Sequence, residues 1–232
     1  MVIPVYKTPD EQEIVSILQT LNLLKTWDIK LIGPESLDYN DYQMIGFKDH
    51  QIIKMDDSNF NSIASYNQLL CSKKFYQPFI EYEFLLIVQT DAWILRDELQ
   101  IWCVKAFDYI GAPWIFRPEQ TKKKVLVDLY PLMKNQVGNG GVSLRKIQTH
   151  IKYSWLAKCI YAIIRKNEDF VWLLVSKIPF VQFRKPKWKE ALEFCVEMNP
   201  KESMKILNDN LPFSLHAWKR YGAEYWKNRL GI

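Results

Sequence analysis

Short apolar runs alternate with helix-patterned segments through residues 1–112, and no other feature of this chain narrows its fold so far. Val2 to Tyr6 is a short apolar strand candidate. Thr8-Pro9-Asp10-Glu11 follows, with the form of a capping box and proline at the first helical position. Ile14, Leu18, Leu21 and Leu24 then recur at helical spacing to Lys25. Ile29 to Ile32 is a second strand, ended by Gly33-Pro34, and Gln51 to Met55 a third. Asp57 or Ser58 is placed to cap a helix running to about Phe75. Phe84 to Val88 is a fourth strand, and Tyr109 to Ala112 a further candidate. Strand-helix alternation of this kind predicts an α/β layer fold with a mainly parallel sheet. Ligands of such sheets bind beyond the carboxyl ends of the strands. The residues there are Tyr6-Lys7, Gly33-Pro34-Glu35, Asp56-Asp57 and Gln89-Thr90-Asp91, so Asp91 falls where a ligand site belongs.

After Pro113 the pattern changes. Ile115 to Gln136 is a long segment with Lys122-Lys123-Lys124 and little periodicity, the length of a lid, a binding loop or a disordered stretch. Beyond it lies a mostly helical second half. From Arg145 to Lys189 that half carries eleven cations against Glu168 and Asp169, with Trp155, Trp172, Phe183 and Trp188 interleaved. A basic, aromatic surface suits phosphates, nucleic acid or anionic lipid, and equally a helix solvated by its lysines. With 232 residues, 48% of them hydrophobic, the chain can bury a sizeable core as one larger domain, or as a domain with an appended subdomain. Cys71, Cys103, Cys159 and Cys195 are scattered without a CxxC pair, which predicts buried free thiols in a reducing compartment. The first residues do not have the form of a signal peptide, and no stretch is long and apolar enough to cross a bilayer. A cytoplasmic protein is the expectation.

Three stretches look like parts of one site. Gln89-Thr90-Asp91 ends a strand, although a lone Asp there also suits a turn. Val137 to Ser143 holds three of the eight glycines within four positions, which calls for positive φ or for a close approach of backbone to something else, or else marks a tight turn before a strand. It lacks dinucleotide-fingerprint spacing and the Lys-Ser/Thr of a P-loop. Asn167-Glu168-Asp169 sets two acids side by side in the basic half. If partly buried, such a pair raises one pKa, as a general base requires; a helix start also favours acids. His216, between Leu215 and Ala217, reads as a core residue or a ligand. HExxH, GxSxG and zinc spacings do not occur.

In their order, VIPVYK, SYNQLLCSKKFY, LLIVQTDAW followed by LRDEL, FDYIGAPW, VGNGGVSLR, NEDFVW and PFSLHAW resemble the nucleotide-sugar glycosyltransferases of the GT-A fold. More closely, they resemble a little-characterised bacterial glycosyltransferase-like family. The resemblance runs from Val2 to Trp218. It implies a GT-A, Rossmann-like mixed sheet, mainly parallel and flanked by helices, with a helical basic C-terminal part. The whole of 1–232 would then be one catalytic domain, with a nucleotide-sugar-binding half at 1–112 and an acceptor-binding half at 113–232. Asp91 would fill the place of the last Asp of a DxD motif, whose first position here is Gln89. An amide is a poorer ligand than a carboxylate for a hard cation such as Mn²⁺ or Mg²⁺. The resemblance further implies Asp169 as catalytic base with Glu168 orienting the acceptor, and His216 completing a metal site with Asp91. Trp114, Gly140 and Gly141 would line the sugars, and Tyr6, Lys7, Tyr66 and Asn67 the nucleotide end with Gln89.

The activity so implied is transfer of a hexose or N-acetylhexosamine, with a UDP-sugar favoured as donor. The acceptor would be a hydroxyl of a glycan or lipid-linked glycan, the outcome inversion, and the setting surface polysaccharide synthesis. Peripheral contact with an anionic inner membrane face would suit such an acceptor; nucleic acid is not an expected partner. Three rival readings stand beside this one. A glycosidase would use Asp91 and Asp169 as its two carboxyl groups, a decayed transferase would bind a nucleotide or sugar without turnover, and a nucleic-acid binder would use the basic half.

Overall fold

The computed structural model describes residues 1–116 and 131–231. Nine strands occur among them: β1 (Val2–Pro4), β2 (Lys30–Pro34), β3 (Ile52–Met55), β4 (Phe84–Val88), β5 (Trp93–Ile94), β6 (Tyr109–Gly111), β7 (Val142–Lys146), β8 (Cys195–Val196) and β9 (Ser214–Leu215). Six form one sheet in the order β3-β2-β1-β4-β7-β6. Strands β3, β2, β1 and β4 run parallel, β7 runs antiparallel to β4, and β6 antiparallel to β7. The fold is therefore the mixed, mainly parallel α/β class that the alternation predicts.

Strand β4 shows why the apolar run is continuous. Leu86 and Val88 face one hydrophobic cluster, with Ile3, Leu31 and Leu144; Leu85 and Ile87 face the other, with Ile32, Phe75 and Val171. A strand covered on both faces has no polar side to display. Each such fully buried side chain contributes roughly 1.5–3 kcal/mol of transfer free energy.

Sequence signals and structure part company at several helix starts. The first helix, Glu11–Leu23, is capped by Asp10, whose carboxylate accepts from the backbone N–H of Gln12 and Glu13 while Glu13 reaches back to the Asp10 N–H. The capping box is thus Asp10/Glu13, and Pro9 precedes it. The helix expected from Asp57 to Phe75 is broken into a 3₁₀ turn at Asp57–Asn59, a helix at Ile63–Leu70 and a short one at Lys73–Tyr76. Asp56 caps the turn and Ser62 the middle helix, each side chain offering the backbone an alternative to continued helix.

The second half holds helices Ile147–Ile164, Glu168–Val175, Trp188–Phe194, Pro200–Ile206 and Trp218–Leu230. It also contributes two strands of a small three-stranded sheet, ordered β5-β9-β8, which the periodicity does not announce. Of the long segment Ile115 to Gln136, residues 117–130, with the three lysines, lie outside the described residues. All four cysteines are free; Cys71 and Cys195 are buried, Cys103 is half-buried and Cys159 exposed, so burial holds for only part of the set.

Candidate functional site

Sheet polarity gathers the three sequence stretches. The carboxyl ends of β1, β2, β3, β4 and β6 lie at one edge of the sheet, and antiparallel β7 brings its amino end there. The glycine segment therefore arrives beside Gln89-Thr90-Asp91. The Gln89 N–H donates to the Gly141 carbonyl at 2.8 Å, extending the β4–β7 ladder one step past Val88–Val142.

The small sheet completes the cluster. Trp93 pairs with Leu215 in the antiparallel β5–β9 ladder, and Val196 with Leu215 in the parallel β8–β9 ladder. Asp91 before β5, His216 after β9 and Glu197 after β8 thus emerge at one end. His216 Nε2 lies 3.0 Å from Gln89 Oε1 and 3.3 Å from Asp91 Oδ1, and its Nδ1 lies 3.2 Å from Glu197 Oε2. Glu197 and His216 are buried, whereas the Asp91 side chain is 54% exposed and so open to a ligand. Burial alone would strip the imidazole of its proton. Glu197 and Asp91 outweigh that and raise the His216 pKa to about 10. Burial likewise works against charge on Asp91, but hydrogen bonding to His216 and its charge hold that carboxyl below its ordinary value.

The glycines act by close approach, and none of Gly138, Gly140 and Gly141 has positive φ; Asn139 takes that conformation instead, at φ 60. A β-carbon on Gly141 would stand 1.9 Å from His216 Nε2, and one on Gly140 would stand 2.3 Å from Glu168 Oε1. Two adjacent residues therefore separate the Gln89/Asp91/His216 cluster from the paired acids. A β-carbon on Gly138 would enter the Trp114 indole, which is buried among Phe170 and Leu173. Trp114 is 4% exposed and offers little face to a sugar.

Glu168 and Asp169 open the helix Glu168–Val175, and both are buried. Glu168 Oε1 accepts from Arg145 Nη2 at 2.5 Å, while Arg145 also donates to Ser143 Oγ and Tyr76 Oη, each at 3.0 Å. Arg145, counted by sequence among the surface cations, is thus fully buried and serves Glu168. Asp169 Oδ1 accepts from the Phe170 N–H at 2.6 Å. Burial first, then Glu168 beside it, raises the Asp169 pKa to about 7. The two acids are thus held differently: the Arg145 bond engages Glu168, and the Asp169 carboxyl has its pKa near neutrality.

The residues expected at the nucleotide end have different partners. Asn67 Oδ1 accepts from the Glu168 N–H at 2.9 Å and its amide donates to the Ile63 carbonyl, so it tethers the acid-bearing helix. Tyr66 is half-buried with a hydroxyl that meets no partner among the described residues. Tyr6 is 64% exposed past β1, and Lys7 pairs with Glu13 at 2.9 Å, which also accepts from Thr90 Oγ1 at 2.6 Å. Sequence reading missed Glu197 and Arg145. Phe194-Cys195-Val196-Glu197 does have the form of an apolar run ended by an acid, as at Asp91, but a run so short is no signal by itself.

Among the described residues, no group of three or more His, Cys, Asp or Glu side chains is arranged to hold a metal ion. A divalent cation at the cluster would instead use Asp91, His216 Nε2 and the amide oxygen of Gln89. The geometry of that set fits, because both oxygens already gather at Nε2, which would give up its proton to the cation, and the other ring nitrogen faces a buried carboxylate, the usual partner of a metal-binding histidine.

Comparison with solved structures places the chain beside glycosyltransferases. The galactosyltransferase LgtC, in complex with donor and acceptor sugar analogues, aligns with a TM-score of 0.57 at 11% identity, over 99% of this chain and 94% of that one. Mouse xyloside xylosyltransferase 1 in its apo form aligns at 0.52 and 12%, over 93% and 96%. The apo glycosyltransferase GlyE of Streptococcus pneumoniae aligns at 0.53 and 10%, over 93% of this chain and 53% of its own. At such identities the likeness is one of fold, and the fold is GT-A. Comparison with curated proteins returned no match. The family model described as protein of unknown function (DUF5672) matches residues 49–216, most of the chain, and the chain belongs to that family.

Proposed function

We propose that this chain is a glycosyltransferase that moves a sugar from a nucleoside-diphosphate donor, a UDP-sugar by preference, to a hydroxyl of a glycan or glycolipid. One observation supports the reading: in a GT-A fold, Gly140-Gly141 lies between half-exposed Asp91 with Gln89 and buried His216 on one side and Glu168 on the other, and Asp169, next to Glu168 in the chain, has its pKa raised to about 7. Residues 1–112 would hold chiefly the donor and residues 113–232 the acceptor, as one catalytic unit in which His216 crosses over to the donor side.

In this reading Asp91 and Gln89 bind the diphosphate end of the donor. A divalent cation, Mn²⁺ or Mg²⁺, held by Asp91, His216 and Gln89 would offset negative charge on the leaving diphosphate. Asp169 takes the proton of the acceptor hydroxyl, which is a poor nucleophile until a base within hydrogen-bond reach activates it. One base driving an in-line displacement predicts inversion at the anomeric carbon. Glu168, bound by Arg145, keeps Asp169 in place and raises its proton affinity. A hexose or N-acetylhexosamine and a role in surface polysaccharide synthesis complete the proposal. Gln89 in place of a carboxylate favours a second reading, a nucleotide- or sugar-binding module without turnover.

Calorimetric titration with UDP, GDP and CMP, each with and without Mn²⁺, tests the donor site. Binding of one nucleotide supports it, and dependence on Mn²⁺ supports the cation. Donor hydrolysis or transfer that Asp169→Asn abolishes while nucleotide binding persists supports the enzyme. Binding without turnover in the native protein favours the module, and no binding of any of the three nucleotides refutes a donor site for these bases.

A further inference from the structure

Helix Ile147–Ile164 buries Ile147, His150, Tyr153, Ser154 and Ala157 against the fold and turns its other side outward. On that outer side Trp155 is 64% and Ile163 82% exposed, and Cys159 lies exposed between them. Steps of four residues place the three in one stripe along the helix. Lys152 precedes Trp155 by one turn, Lys158 flanks it, and Arg165 and Lys166 follow the helix end, all exposed. From Lys146 to Asn167 the sequence contains five Lys or Arg residues and no Asp or Glu. Soluble helices more often mix both signs on the outer face, and contiguous exposed apolar residues mark a contact surface.

We propose that this face seats the protein on an anionic membrane surface. Tryptophan is suited to the headgroup level and isoleucine to the acyl boundary, while lysine and arginine meet anionic headgroups. Nucleic acid is the weaker match, because the aliphatic Ile163 offers no stacking plane to a base. Contact would be peripheral, since no described helix is long and apolar enough to cross a membrane. The binding stands whether or not the protein transfers sugar. If it does, the placement favours a lipid-linked acceptor, for the helix ends four residues before Glu168 and five before Asp169.

Flotation with vesicles of phosphatidylcholine alone, and with equimolar phosphatidylcholine and phosphatidylglycerol, tests it at physiological salt. The native chain should float only with the anionic vesicles. Each basic residue near such a surface strengthens binding about fivefold, so Lys152→Glu with Lys158→Glu should weaken it at least about twentyfold. Trp155→Ala with Ile163→Ser should also abolish flotation. All four side chains are exposed, so melting temperatures should match the native value, and calorimetric UDP titration should be unchanged. No flotation of the native chain, or native-like flotation of either double variant, overturns the proposal. So does a native dimer that Trp155→Ala with Ile163→Ser dissociates, or an oligonucleotide retained by this face in the absence of flotation.

Discussion

Gly141→Ala puts the site geometry to its most direct test. The added β-carbon would stand 1.9 Å from His216 Nε2, 2.2 Å from Cε1 and 2.4 Å from Cδ2, where ordinary contact needs at least 3.4 Å. Something must therefore move by about 1.5 Å. The backbone resists, because the Gly141 carbonyl holds the Gln89 N–H and the β4–β7 ladder begins at the next residue. The imidazole is rigid and has Glu197 behind it at 3.2 Å. Overpacking of this kind costs about 1–3 kcal/mol, and at roughly 2–4 °C per kcal/mol for a chain of this size the melting temperature should fall by about 2–12 °C. Misplacing a site group by 1 Å costs about a hundredfold in rate. Any Mn²⁺-dependent nucleotide affinity should fall by at least about tenfold, the order of one lost metal ligand or its support. Scanning calorimetry and titration with UDP and Mn²⁺ measure both. An alanine variant that melts at the native temperature and retains native nucleotide affinity would refute the claim that Gly141 exists to admit His216.

Three further outcomes are expected. Arg145→Met leaves the Glu168 carboxylate buried without its partner and should cost about 3–5 kcal/mol in chemical denaturation, whereas adding Glu168→Leu should recover much of the loss. Asp169 has its folded pKa raised to about 7, first by burial, so its contribution to stability is full below the ordinary carboxylate range and is lost as pH rises through about 7. Asp169→Asn should flatten that part of the stability–pH profile, and the native transfer rate should rise with pH through about 7; a flat native profile would exclude Asp169 as the base. If the cluster holds Mn²⁺ as proposed, Glu197→Gln should weaken that binding about 10- to 100-fold, read by the paramagnetic resonance of free Mn²⁺, without unfolding the chain. Unchanged Mn²⁺ binding would remove Glu197 from any positioning role.

The amino-acid sequence by itself determined the α/β alternation, the strand Phe84–Val88 and the placement of Asp91 at a carboxyl end. These are local signals: an apolar run, a stop, and the polarity of a parallel sheet. It also singled out the glycine segment, because three of only eight glycines fall there, and the paired acids, because they stand in an otherwise basic stretch. Only the tertiary structure decided how those pieces meet. The capping acceptors at Asp56 and Ser62, which broke the expected long helix, compete locally with helix continuation by a margin that periodicity does not reveal. Strands β8 and β9 are two residues each and carry no period, yet their register sets Glu197 beside His216 and brings both to Asp91. Arg145 reads as one more basic residue until strand pleating turns it into the interior toward Glu168. Charge, spacing and hydropathy are properties of neighbours along the chain. The candidate site is made by residues 127 positions apart, Gln89 and His216, and their meeting is a consequence of sheet topology.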